Sequence, residues 1–171
     1  LCTSHLSVAL VNWMATLLAT PHPLPKMDFS KGIPPESRAL AVVPTMLIST
    51  RNIEELIEAL EVRFLANQDK NLHFGLLTDF RDAGEETMPE DEPLLRLARQ
   101  KIEGLNKKYK REKGDAFFLF HRSRRWNPQE LVWMGYERKR GKLAELNSLL
   151  RGGAKDRVSL VVGNTEVLST V

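Results

Sequence analysis

LHFGLLTDF, residues 72–80, reads as a strand near 72–79 in which the short apolar run FGLLT ends on an acid, Asp79. Its neighbours make it the middle member of a series. Upstream, ALAVVPTML (39–47) is rich in Ala, Leu and Val without alternation, the pattern of a buried strand. Pro44 is expected to stop that strand, which places Thr45 in the loop after it. Asn52 is expected to open a helix near 52–66, with Glu54 and Glu55 in a first turn where the dipole favours them. Ile53, Leu56, Ile57, Leu60 and Phe64 recur along it at three and four residues. Downstream, RDAGEETMPEDE (81–92) is a loop by its Gly and Pro. The spacing of its carboxylates matches neither a calcium loop nor an acid pair fixed on one helix, so it reads as solvated, with Glu90 to Glu92 serving the next helix start. Pro93 starts a helix running to about 112 with a stripe of Leu95, Ala98, Ile102, Leu105 and Tyr109, and DAFFLFHR (115–122) supplies a third strand near 116–121. VSLVVG (158–163) is a candidate fourth. Strand, helix, strand, helix, strand is the alternation of βαβ units. The expected fold class is therefore α/β: a mostly parallel, Rossmann-like sheet with flanking helices and binding loops at the strands' carboxyl ends.

A chain of 171 residues, 42% apolar and 27% charged, is large enough for one such domain and excludes intrinsic disorder. The formal charge is only +3, so electrostatic recognition must come from local clustering. Cys2 is alone, which excludes an intrachain disulfide framework and fits a reducing compartment. The chain opens on Leu and closes on the apolar VLSTV, and it reads as an incomplete piece of a longer polypeptide. Residues 1–20 are expected to be an apolar helix: LSVALVNWMATLL (6–18) carries no charge but falls short of the ~20 apolar residues that cross a bilayer. Such a helix either covers the domain's own core or lies in the interface near a membrane, with Trp13 at headgroup level. Residues 21–37, with Pro21, Pro23, Pro25, Pro34 and Pro35, are expected to be an extended linker, and residues 38–171 the α/β domain.

Charge concentrates after the third strand. Between residues 122 and 142, Arg122, Arg124, Arg125, Arg138, Lys139, Arg140 and Lys142 face only Glu130 and Glu137. That composition suits an anion. The stretch also leads into a helix expected to begin at Leu143, with Leu143, Leu146 and Leu150 on one side. The amides and positive dipole end would then point to where Gly141 lets a ligand approach, and a diphosphate would suit the place. Asp79, at the end of its strand, is placed to accept hydrogen bonds from a nucleotide's base or ribose, although an acid there more often caps a turn.

The succession LPKMDFSKGIP, VVPTML, LHFGLLTDFRDA, MPEDEPLL and FFLFHRSRRWNPQELVWMGYERKRGKLAELNSLLRG resembles the glycosyltransferase portion of bacterial cyclic β-1,2-glucan synthases. Those are large membrane proteins that make periplasmic glucans from UDP-glucose. More distantly, a strand-ending Asp, an arginine-rich strand and Lys-x-Gly before a helix resemble the processive inverting glycosyltransferases of the GT-A type, such as cellulose synthases. The resemblance implies that residues 38–171 are the N-terminal, nucleotide-binding part of a GT-A domain. It places Pro44 and Thr45 near the nucleotide, Asp79 on the uridine, and Lys139 and Gly141 at the diphosphate with Arg138 and Lys142 beside them. It also implies UDP-glucose and a growing glucan as substrates, a Mg or Mn ion, the rest of the same polypeptide and a membrane as partners, and the cytoplasmic face of the inner membrane as location. The chain departs from the pattern in lacking Asp-x-Asp, an identifiable acceptor base and Gln-x-x-Arg-Trp. No catalytic or metal-binding residue is therefore expected within it; the metal-binding acids would lie just past Val171, and the piece alone should be inactive. Two rival readings are a nucleic-acid or acidic-surface module using residues 122–142 with Trp126, Trp133 and Tyr136 for stacking, and a scaffold domain without chemistry. The basic run divides around an apolar LVWMGY (131–136), read as a strand or hairpin, which argues against nucleic acid as the partner.

Overall fold

The structure is a computed structural model that describes residues 2–19, 28–112, 114–153 and 158–164. It divides into two compact units, one up to Ser30 and one from Lys31 onward. In the first, helix α1 spans Cys2–Leu18, and its side chains from Ser4 on are exposed, apolar ones included. No described helix is long and apolar enough to cross a membrane. Residues 21–27 of the expected 21–37 linker lie outside the described residues, and Pro35–Ser37 form a single 3-10 turn.

The second unit runs β1 (Ala39–Leu47), α2 (Thr50–Ala66), β2 (Leu72–Phe80), α3 (Asp91–Lys108), β3 (Phe117–Arg122), β4 (Arg125–Asn127), β5 (Val132–Met134), α4 (Arg138–Leu150) and β6 (Ser159–Val162). The main sheet has the order β1-β2-β3-β6, with β1, β2 and β3 parallel and β6 antiparallel to β3. The expected mostly parallel α/β sheet is therefore present. LVWMGY contributes to a two-stranded hairpin, β4–β5. Its turn is set by Asn127, whose Oδ1 accepts the Gln129 N–H at 3.0 Å.

The side-chain period of two along a strand fills two cores. Phe74, Leu76, Phe80, Phe117 and Leu119 meet Ile53, Ile57, Leu60 and Phe64 of α2 and Ala98, Ile102 and Leu105 of α3. Leu77, Phe118 and Phe120 point the other way, onto Leu146 with Leu149 and Leu150 of α4. Each fully buried Leu, Ile or Phe contributes ~1.5–3 kcal/mol, and this double covering is why β2 and β3 read as continuous apolar runs.

Several boundaries differ from the sequence expectation. Pro44 does not stop β1, which continues to Leu47; β1 is the edge of the described sheet, where a missing N–H is tolerated. Thr45 is thus a strand residue. Helix α2 begins at Thr50, capped by Ser49, whose hydroxyl accepts the Asn52 N–H at 3.2 Å while Asn52 Oδ1 accepts the Ile48 N–H at 3.3 Å. Glu54 and Glu55 accordingly fall beyond its first turn. Helix α4 begins at Arg138, five residues before Leu143, which is 40% exposed; its core side is Leu146, Leu149 and Leu150.

Candidate functional site

A cavity of about 290 Å³ opens beside the carboxyl ends of β1 and β2 and the first turn of α4, where a parallel sheet places its ligands. It is lined by Pro44, Thr45, Asp79, Arg138, Lys139 and Lys142, together with Asp82 and Gly135 among others. Six of the seven residues singled out in the sequence therefore share one hollow, although they span almost a hundred positions. A larger hollow of about 800 Å³ lies at the opposite strand ends, beside His73, Tyr109 and Arg111. There the Arg111 guanidinium is already engaged by the carbonyls of Asp69, Lys70 and Leu72, at 2.9, 3.1 and 3.0 Å.

The wall of the smaller cavity is a buried charge network. Asp79 and Arg122 are direct partners on β2 and β3, and the strand period puts both on the α4 side. Arg122 Nη2 donates to Asp79 Oδ2 at 3.0 Å, and Nη1 to Glu145 Oε2 at 3.2 Å and the Tyr136 carbonyl at 2.9 Å. Lys142 Nζ donates to Asp79 Oδ1 at 2.7 Å and to the Thr45 carbonyl at 2.6 Å. Asp79, Arg122 and Lys142 are all buried. Burial pushes the Lys142 ammonium below the usual lysine range, while Asp79 opposes the shift. Two cations and two carboxylates balance, so the network carries no net charge of its own.

The turn entering α4 is shaped by this cluster. Glu137 and Arg138 both adopt left-handed backbone, with φ of 52° and 44°, and the Tyr136 and Arg138 carbonyls accept from Arg122. Gly141 does not line the cavity. A Cβ there would meet the Tyr136 carbonyl oxygen and the Glu137 Cβ, and would come within 3.2 Å of Arg122 Nη1. The glycine thus admits close packing of the turn against its own helix. A Cβ at Gly135 would overlap Asp79 and Arg122 in the same way.

The basic run presents fewer free cations than its composition suggested. Arg122, Arg124 and Lys142 are buried and paired, Arg124 with Asp91 and stacked 5.1 Å over the Phe80 ring. Arg138 is exposed but pairs with Asp82 at 2.7 Å, and Arg140 lies 3.9 Å from Glu137. Lys139 is an exposed cation on the cavity wall. The Arg138 N–H bonds the Gly135 carbonyl at 3.0 Å, so the helix start offers fewer amides than a terminus at Leu143 would have.

Two features escaped the sequence reading. Arg122, read only as one cation of the basic run, holds the network together, and its signal was a cation closing the strand FFLFHR. Asp91, assigned to a helix start, also anchors Arg124, and its Oδ2 accepts the Met88 N–H at 2.7 Å. Among the described residues no three His, Cys, Asp or Glu side chains are grouped to hold a metal ion, and Asp79 and Asp91 are engaged by cations.

No family model matches the chain. A stretch of 146 residues is 43% identical to the cyclic beta-(1,2)-glucan synthase NdvB of Rhizobium meliloti (strain 1021), covering 85% of this chain. The chain spans 5% of the length of that relative.

Proposed function

We propose that the chain supplies the nucleotide-binding part of a GT-A-type glucosyltransferase that uses UDP-glucose to extend a β-1,2-glucan at the cytoplasmic face of a bacterial inner membrane. The observation that carries this is the convergence of Thr45, Asp79, Arg138, Lys139 and Lys142 on one cavity at the carboxyl ends of parallel strands. Similarity to a glucan synthase supports the substrate class.

Lys139 and Arg138 would meet the diphosphate, each charge-assisted hydrogen bond contributing ~1.5–3 kcal/mol toward the ~8 kcal/mol of micromolar binding. Arg138 would exchange Asp82 for phosphate. Lys142 is better placed to fix Asp79 than to leave it, and Asp79 retains acceptor capacity for the uridine. The cavity is small for a whole nucleotide sugar, as ligand pockets run to roughly 300–1,000 Å³. The acids for a Mg or Mn ion and the carboxylate that takes the acceptor's proton belong, in this reading, to the rest of the polypeptide. The part played by this chain is to bind and orient.

Titrating UDP into the ¹⁵N-labelled chain should move the amide signals of Thr45, Asp79 and Lys139. A spectrum unchanged at millimolar UDP would sink the reading. Supplied with UDP-glucose and a divalent metal, the chain should release no UDP above background, and sustained turnover would put the reacting groups inside residues 1–171.

A further inference from the structure

We infer that the outward face of the β4–β5 hairpin, built on Trp126 and Trp133, is a stacking platform for a neutral glucose polymer. It is placed as the acceptor side of the site only through the glucosyltransferase reading above. The two indoles are direct cross-strand partners, their ring centroids 5.9 Å apart and their planes tilted by 57°. The other face of the hairpin is occupied: Asn127 and Met134 are buried, with Asn127 Nδ2 3.2 Å from the Met134 sulfur. The Trp side is what remains, and Trp126 is 46% exposed. A large aromatic left in solvent beside a cavity is a feature the core does not require.

Strand β5 ties the platform to the cavity. The Trp133 N–H and carbonyl bond the Ala83 carbonyl and N–H, each at 3.0 Å, so β5 is tied to the loop whose Asp82 lines the cavity. Gly135, the residue after β5, lines the cavity itself.

Glucose matches such a surface. Its ring substituents are mostly equatorial, which leaves C–H faces that lie flat on an aromatic ring and a rim of hydroxyls that both donate and accept. Two-torsion aromatic side chains give that contact area at low entropic cost. Exposed Gln129 and Glu130 in the turn of the same hairpin offer an amide and a carboxylate. A neutral polyol can bond both, whereas a polyanion would meet Glu130 unfavourably.

The test uses the indole Nε1–H signals of the ¹⁵N-labelled chain, with Trp13 as internal control, during titration with linear β-1,2-linked glucose oligosaccharides. Trp126 and Trp133 should shift saturably and Trp13 should not. Trp126→Ala should weaken the sugar about tenfold, and Trp126→Phe by less, with the amide spectrum elsewhere and the response to UDP unchanged. Silent Trp126 and Trp133 indoles at saturating sugar, equal affinity in Trp126→Ala, or tighter binding of a single-stranded oligonucleotide than of the glucan would each overturn the inference. A glucan response without any UDP response sustains the platform and removes the nucleotide reading; the converse leaves the nucleotide reading and removes the platform.

Discussion

Asp79 Oδ1 and Lys142 Nζ, sixty-three residues apart in the chain, meet at 2.7 Å in an environment where Asp79 is 3% exposed and Lys142 4%. The pair locks the N-terminal half of α4 to β2, and the Thr45 carbonyl extends the link to β1. Two charges taken out of water gain little net stability from each other, but removing one leaves the other buried and uncompensated. The contact therefore fixes how α4 sits against β2 more than it adds to the folding energy, and it gives the cavity a defined wall.

Arg122→Met should destabilise the chain by about 3–5 kcal/mol in urea unfolding, because Asp79 keeps only Lys142 and Glu145 loses its buried partner. Lys139→Ala, at an exposed position, should stay within about 0.5 kcal/mol. An Arg122→Met protein as stable as the parent would mean that the guanidinium is not the hub.

Gly141→Ala should cost about 1–3 kcal/mol, since the new methyl meets the backbone oxygen of Tyr136 and cannot be relieved by a side-chain rotation alone. Were Gly141 instead a ligand-approach position, the substitution would spare the melting temperature and weaken only UDP binding. Thermal denaturation alongside UDP titration separates the two.

Lys139→Ala should weaken UDP about tenfold with an unchanged melting temperature, whereas Arg140→Ala, which does not line the cavity, should change affinity roughly twofold at most. Equal small effects at both positions, measured by calorimetric titration, would reduce this face to solvated charge.

His121 is held neutral by burial, which pushes its imidazole down to about 4, with the Asp79 and Asp91 charges opposing. The Thr78 hydroxyl lies 2.9 Å from its Nδ1. An unfolded histidine titrates near 6.5, so between roughly pH 6.5 and 4 the unfolded chain binds the extra proton and stability falls with pH. The loss from this group is about 2 kcal/mol between pH 7 and pH 5. His121→Gln should remove that slope from urea midpoints measured across the window. A slope unchanged in the variant would assign the acid sensitivity elsewhere.

The sequence by itself determined the three parallel strands and the two helices between them, while the antiparallel β6 and the strand β4 came from the structure. The runs around Val43, Leu76 and Leu119 had to be strands covered on both faces, and the stripes from Ile53 to Phe64 and from Ala98 to Leu105 had to be helices, because apolar periodicity is a local property that burial reads directly. It also brought forward Thr45, Asp79, Arg138, Lys139 and Lys142, since chemistry-bearing residues at strand ends and beside a helix start stand out against apolar runs. Only the tertiary structure decided which of those cations faces solvent. Lys139 and Lys142 are three residues apart in one basic run, and their identical side chains carry no mark of direction. The 3.6-residue turn of α4, starting at Arg138 because Arg122 draws in the carbonyls of Tyr136 and Arg138, turns Lys142 inward onto Asp79 and leaves Lys139 on the cavity wall. The close packing at Gly141 was hidden for the same reason: nothing in the sequence shows that the Tyr136 carbonyl folds back against it.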